Sequence, residues 1–180
     1  RNIINVGSLR DFDRFLRACA LRIGQLLSLS DLARDVGVSV NTVKSWISVL
    51  ETSGQIFLLE PYYRSLGKRL TKSPKLYFTD TGVASFLLGF ETARDLLRSP
   101  LVGQFWENHV LLEMLKHWSG LGRRPRVWFW RTRSGEEVDL VIEQSGRVMA
   151  IECKSSEKPG SKDIKSLRSF LDRLQGQARG

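Results

Sequence analysis

Apolar residues follow helical spacing over the first fifty positions, then short strand-like runs, then a mixture of both. In "SLRDFDRFLRACALRIG", Leu9, Phe12, Phe15, Leu16 and Cys19 share one face of a helix, and Ser8 stands at its N-cap position. "SDLARDVG" predicts a short helix with Ser30 as N-cap and Gly37 as the left-handed residue that ends it. "SVNTVKSWISVLETSG" repeats this grammar: Ser39 precedes a stripe of Val40, Val43, Ile47 and Leu50, and Gly54 closes it. After Gly54, "QIFLLEPYY" and "KLYFTD" read as strands. A short helix, "TGVASFLLG", follows with Thr79 or Asp80 as its cap, and a longer one, "LVGQFWENHVLLEMLKHW", starts after Ser99-Pro100. Three strands, "RVWFWR", "EVDLVIE" and "RVMAIECKS", come next. The amphipathic "SKDIKSLRSFLDRL", with Ile164, Leu167, Phe170, Leu171 and Leu174 on its apolar face, completes the pattern.

The second and third helices have helix-turn-helix spacing. Ala33 is the small residue where the helices cross, Gly37 lies in the turn, and Val43 and Ile47 dock the second helix. The face left over carries Asn41, Thr42, Lys44, Ser45 and Ser48, short polar groups able to reach base edges or phosphates. The strand pair encloses "RSLGKRLTKSP", so this section has the form of a winged helix. Arg64, Lys68, Arg69, Lys72 and Lys75 fall there with no acid among them. Such a loop suits a phosphate backbone, but equally a solvated loop or a winged helix that docks protein. The pattern divides near residue 80, into a winged helix-turn-helix over 1–79 and a second unit over 80–180.

Charge adds a partner class to this picture. The 180 residues carry a net +9; residues 1–79 hold 12 basic and 6 acidic residues and residues 80–180 hold 16 and 13. A basic excess favours a polyanion such as nucleic acid. No apolar run approaches a membrane span and no secretory leader is evident, so a cytoplasmic location is expected. Only Cys19 and Cys153 are present, both within apolar patterns, as buried reduced thiols would be. The opening residues lack an initiator Met, which is expected of a piece of a longer protein.

The chemistry concentrates in "EEVDLVIEQSGRVMAIECKS". If Ser145-Gly146 is a two-residue turn, Asp139 lies opposite Glu152 and Val141 opposite Ala150, with Lys154 on the Glu152 face above Val148 and Ala150. Facing carboxylates repel unless something offsets them, and a divalent cation with one or two carboxylate ligands does so. Lys154 is placed to stabilise a phosphate or polarise a water. On the long helix, Glu107 stands near the centre of the stripe formed by Val110, Leu111, Met114 and Trp118, whereas His109, Glu113 and Lys116 lie on the other side. A core-facing acid needs an ionic or hydrogen-bonding partner, or a metal. Arg131 and Arg133, near the hairpin, are further phosphate candidates.

Glu107 on a helix, Asp139 in "EVDLVI" and Glu152-x-Lys154 in "ECK" resemble the quartet of the PD-(D/E)XK nuclease superfamily. "GKRLTKSPKLYFTDTGVASFLLG", "GQFWENHVLLEM" and "FWRTRSGEEVDLVIE" are similar to the C-terminal domain of unknown function of prokaryotic AAA-type ATPases. The resemblance implies an α/β chain, α+β overall, with a winged helix-turn-helix followed by a restriction-endonuclease-like mixed-sheet domain. That core normally continues with a strand after the last helix, so the resemblance also implies an incomplete C-terminus. It implies Mg²⁺ or Mn²⁺ held by Asp139, Glu152 and Glu107, with Lys154 as the fourth catalytic member. DNA, and an ATPase module preceding this region, are the implied partners. The chain has no G-x-x-x-x-G-K-[ST] loop and is not the ATP-hydrolysing part. A metal-dependent nuclease and an inactive DNA- or protein-binding module working with that ATPase are both consistent with these residues.

Overall fold

The computed structural model describes residues 8–62, 73–123, 126–144, 146–156, 160 and 164–178. Among them the chain is mixed α+β, with seven helices and two small antiparallel sheets. It runs α1 (Leu9–Ala20), α2 (Leu29–Val36), α3 (Val40–Thr52), β1 (Ile56–Leu59), β2 (Lys75–Phe78), α4 (Thr81–Leu87), α5 (Ala93–Arg98), α6 (Val102–Gly120), β3 (Val127–Arg131), β4 (Glu137–Gln144), β5 (Arg147–Ile151) and α7 (Lys165–Ala178). No described helix is long and apolar enough to cross a membrane.

Local chemistry accounts for the first three helices. Ser8 accepts a hydrogen bond from the Asp11 amide and Ser39 from that of Thr42, both as the sequence predicts. The cap of α2 is Ser28, not Ser30: the Ser28 hydroxyl accepts from the Asp31 amide, and Ser30 lies exposed inside the first turn. Gly37 ends α2 at φ 85°, a left-handed conformation that costs glycine little. Phe15, Cys19, Leu32, Ala33, Val43, Trp46 and Ile47 form the core of this three-helix unit. Asp80 rather than Thr79 caps α4. Helix α5 was not apparent from the apolar pattern; a capping box between Thr92 and Asp95 fixes its start.

The β1–β2 pair is buried on both faces. Ile56, Leu58, Leu76 and Phe78 face the helical core, while Phe57, Leu59 and Tyr77 face a second core built with α6 and β3–β5. Beyond β1, the Tyr62 amide donates to the Phe129 carbonyl at 2.6 Å and the Phe129 amide to that of Glu60 at 3.1 Å, joining this segment to β3. The free edge of β2 is occupied as well. Leu76 donates to the Gln25 carbonyl and accepts from the Gly24 amide, and Leu27 donates to Pro74. The wing candidates Arg64, Lys68, Arg69 and Lys72 lie outside the described residues.

Strands β3, β4 and β5 form an antiparallel meander with α6 on one face and α7 on the other. The hairpin register is the predicted one, with Val141 opposite Ala150 and Gln144 opposite Arg147, but β5 ends at Ile151, so Glu152 to Lys154 follow the strand. Leu140 and Ile142 pack toward α6; Val138 and Val141 pack toward Phe170 of α7. Phe170 is buried and Leu167 and Leu174 are partly so, whereas Ile164 and Leu171 are exposed, which narrows the apolar face expected for α7.

Candidate carboxylate site

Glu107 is held by the second turn of α6, and the residue after it is the reason it sits where it does. Asn108 is fully buried; its Oδ1 accepts from the Phe78 amide at 2.8 Å and its Nδ2 donates to the Phe78 carbonyl at 2.9 Å. This two-bond clamp fixes α6 against the outer edge of β2. Lys75 and Tyr77, on the same face of β2, are thereby presented to Glu107. The Lys75 Nζ lies 2.8 Å from Glu107 Oε1, and the Tyr77 hydroxyl donates to the same oxygen. Gly24, at φ 71°, passes directly over the other oxygen: a Cβ there would meet Glu107 Oε2 at 3.6 Å.

Strand β4 contributes two acids through an irregularity. Trp128 pairs with Val141 but Trp130 pairs with Val138, so three steps on β4 oppose two on β3, and the extra residue falls at Asp139–Leu140. A bulge of this kind re-aims a side chain. Here it lets the neighbours Asp139 and Leu140 both face the α6 side, Leu140 into the apolar core and Asp139 to within 4.0 Å of Lys75 Nζ. Glu137 reaches the same ammonium through Oε1 and pairs with Arg131 through Oε2. The end of β5 closes the group. The Cys153 amide donates to Asp139 Oδ2 at 2.7 Å, and Lys154 Nζ donates to Glu152 Oε1 at 2.7 Å.

The site is therefore graded from inside to outside. Side-chain exposure is 3% at Lys75, 10% at Glu107, 13% at Asp139, 14% at Glu152 and 36% at Lys154. Burial disfavours every charge in it, and the pairs decide the outcome. Burial pushes the Glu107 carboxyl up to about 7, against the pull of Lys75 and Tyr77. Burial also opposes the Lys75 charge, but Glu107 and Glu137 outweigh it and hold the ammonium above the ordinary lysine value. Asp139 and Glu152 are both raised, chiefly by burial, with the Cys153 amide opposing in the first case and Lys154 in the second. The Cys153 thiol is pushed up to about 12 by burial and by Asp139, which disfavours the thiolate.

Thus Glu107, Asp139, Glu152 and Lys154 are gathered at one end of the sheet, though not as one coordination shell: among the described residues no group of three His, Cys, Asp or Glu is arranged to hold a metal ion. Glu107 is engaged by Lys75 and Tyr77. Asp139 and Glu152 are the better candidates for a hard cation, because Glu152 Oε2 is buried with no hydrogen-bond partner among the described residues and the Asp139 charge acts on the same carboxyl. Lys75, Tyr77, Glu137 and Asn108 are the residues that sequence reasoning missed. Lys75 was grouped with the basic loop, yet it is 2% exposed and faces acids. Arg131 is paired with Glu137, while Arg133 is exposed. Far from this site, Asn41, Lys44, Ser45 and Ser48 lie exposed on α3, whereas Thr42 is half-buried with its hydroxyl 2.8 Å from that of Ser39.

Two families match in succession. One, described as a domain of unknown function (DUF8612), covers residues 1–94, and a second domain of unknown function (DUF4143), associated with AAA-type ATPases, covers residues 102–180. Uncharacterized proteins of Mycobacterium bovis and Mycobacterium tuberculosis are each 36% identical over 152 residues, 84% of this chain and 33% of theirs. The chain thus spans about a third of the length of these relatives. No solved structure matches it.

Proposed function

The chain belongs to the DUF8612 family of domains of unknown function, and from this premise we propose that it is a nucleic-acid-binding module with a Mg²⁺-dependent phosphodiesterase site. In this reading it works as the C-terminal region of a prokaryotic AAA-type ATPase. The observation that carries the proposal is Glu152 Oε2, buried and without a partner among the described residues, on a carboxyl that feels the charge of Asp139. A buried carboxylate oxygen without a donor is costly, and a hard cation satisfies it. The order α6, β3–β5, α7 supports the comparison with a PD-(D/E)XK core, and the α2–α3 pair with β1–β2 supports a winged helix.

Asp139 and Glu152 would hold the ion, with Glu107 assisting directly or through a water. The chemistry that bound Mg²⁺ or Mn²⁺ supplies is polarisation of a phosphoryl oxygen and a lowered pKa for the attacking water. The Cys153 amide fixes the Asp139 carboxylate in place. Lys154, at the open rim, meets the phosphate or the attacking water. DNA is the proposed substrate, guided by Asn41, Thr42, Lys44 and Ser45 and by the basic loop containing Arg64, Lys68, Arg69 and Lys72.

The second reading is an inactive DNA- or protein-binding module that works with the ATPase. The engagement of Glu107 by Lys75 and Tyr77 favours it, since that acid is already satisfied. Mn²⁺- or Mg²⁺-dependent cleavage of single-stranded, duplex and branched DNA by the wild type and by Asp139→Ala separates the two. Cleavage lost in the variant establishes the enzyme; no cleavage by either chain, alone or with the ATPase module, removes the enzymatic reading and moves the weight to the binding module.

A further inference from the structure

Lys75 belongs by sequence to the first family match and by position to the acids of the second. Its ammonium touches Glu107 and Glu137 and lies 4.0 Å from Asp139, over the face of Phe129 at 5.6 Å. Three carboxylates thus share one buried cation, and that cation is an ammonium. Ionised, the cluster of Glu107, Glu137, Asp139 and Glu152 carries four negative charges. Among the described residues Lys75, Arg131 and Lys154 supply three positive ones, so the acids are in excess by one at the Asp139–Glu152 end. An ordinary structural ion pair balances its partners; among the described residues this cluster is in acid excess, and the excess lies where Glu152 Oε2 has no described partner.

We propose that Lys75 is a positioning residue of this site: its ammonium serves as the built-in cation of the inner carboxylates, so that Glu107 joins a divalent ion only when Lys75 gives up its place. This rests on reading Asp139 and Glu152 as a divalent-cation site. It adds a threshold to that site. A cation entering at Asp139 and Glu152 meets like-charge repulsion from Lys75, and the strength of that repulsion sets the concentration at which the site fills. The threshold is supplied by the DUF8612 half, on the strand that Asn108 clamps to α6.

The test is Mn²⁺ binding by calorimetry at mildly alkaline pH and constant ionic strength. The proteins are the wild type, Asp139→Asn, Lys75→Met, Glu137→Gln and the double variant Lys75→Met/Glu137→Gln. Removing Lys75 is expected to tighten Mn²⁺ binding by about tenfold or more. Because Lys75→Met alone strands buried acids and can fail to fold, the double variant carries the decision: it restores the wild-type net charge of the cluster while vacating the ammonium position. Binding at least about tenfold tighter than that of Glu137→Gln supports the proposal. Binding equal to or weaker than Glu137→Gln, with Asp139→Asn abolishing wild-type binding, overturns the role of Lys75 and leaves the cation site standing. Absence of Mn²⁺ binding in every variant overturns both.

Discussion

Replacing Asn108 by alanine should destabilise the protein far more than the loss of one small polar side chain suggests. Its amide satisfies both the N–H and the C=O of Phe78, at 2.8 and 2.9 Å, in a setting where Phe78 is 2% exposed and Asn108 fully buried. The alternation of the β1–β2 ladder explains the need: Thr79 donates to the Gln55 carbonyl, so Phe78 points its backbone groups away from β1. With Asn108 removed, two buried backbone groups lose their partners. Each carries a penalty of about 1–3 kcal/mol, so the two together cost about 2–6 kcal/mol. For a chain of this length that corresponds to about 10 °C in the midpoint of thermal unfolding. Circular dichroism melts and urea titrations of the wild type, Asn108→Ala and Asn108→Asp measure it. The aspartate keeps the acceptor for the Phe78 amide but sets an oxygen against the Phe78 carbonyl and a second acid beside Glu107. Its carboxyl is buried and therefore raised, so its destabilisation should grow as pH rises. A loss below about 1 kcal/mol for Asn108→Ala would refute the clamp.

Two further outcomes follow from the same geometry. The Glu107 carboxyl is raised from an ordinary 4.5 to about 7, so between those values the folded chain holds a proton that the unfolded chain has released; stability should fall as pH rises through this window. The change is up to about 3 kcal/mol, and Glu107→Gln should remove it, leaving the slope that Asp139 and Glu152 give in the same direction; urea titrations across the window decide. Lys44→Glu on the exposed face of α3 should weaken duplex DNA binding at low salt and reduce the salt slope by about one unit, read by fluorescence anisotropy; an unchanged isotherm would show that α3 does not face DNA.

The hairpin register was readable because a two-residue turn fixes every pair beyond it, and Val141 does face Ala150. Asp139 and Glu152 were found for the same reason. Their orientation was not readable: alternation alone puts Asp139 on the Val141 face, and the bulge that turns it toward α6 leaves no mark in the apolar pattern. Lys75 was hidden differently. In "KLYF" all four side chains are buried, so a lysine at the head of the run looked like the last member of the basic stretch before it. Only the acids brought from residues 107, 137 and 139 identify it, and those contacts span more than thirty positions of sequence. Glu137 shares the Asp139 side two residues away, but it stands at the start of β4, the end far from the turn, where β5 supplies no facing pair to mark it. The choice of Ser30 over Ser28 shows how two serines flanking one apolar residue leave a cap ambiguous.

The β1–β2 ribbon has no outside: one face closes the helical core and the other closes the core of the carboxylate site. A cut between the two family matches would therefore open a wound in each piece, with Phe57, Leu59 and Tyr77 bared on the first and the acids of the second deprived of their lysine. A change of size on one side of the ribbon is felt in both cores, so the two domains of unknown function share one packing unit in this chain.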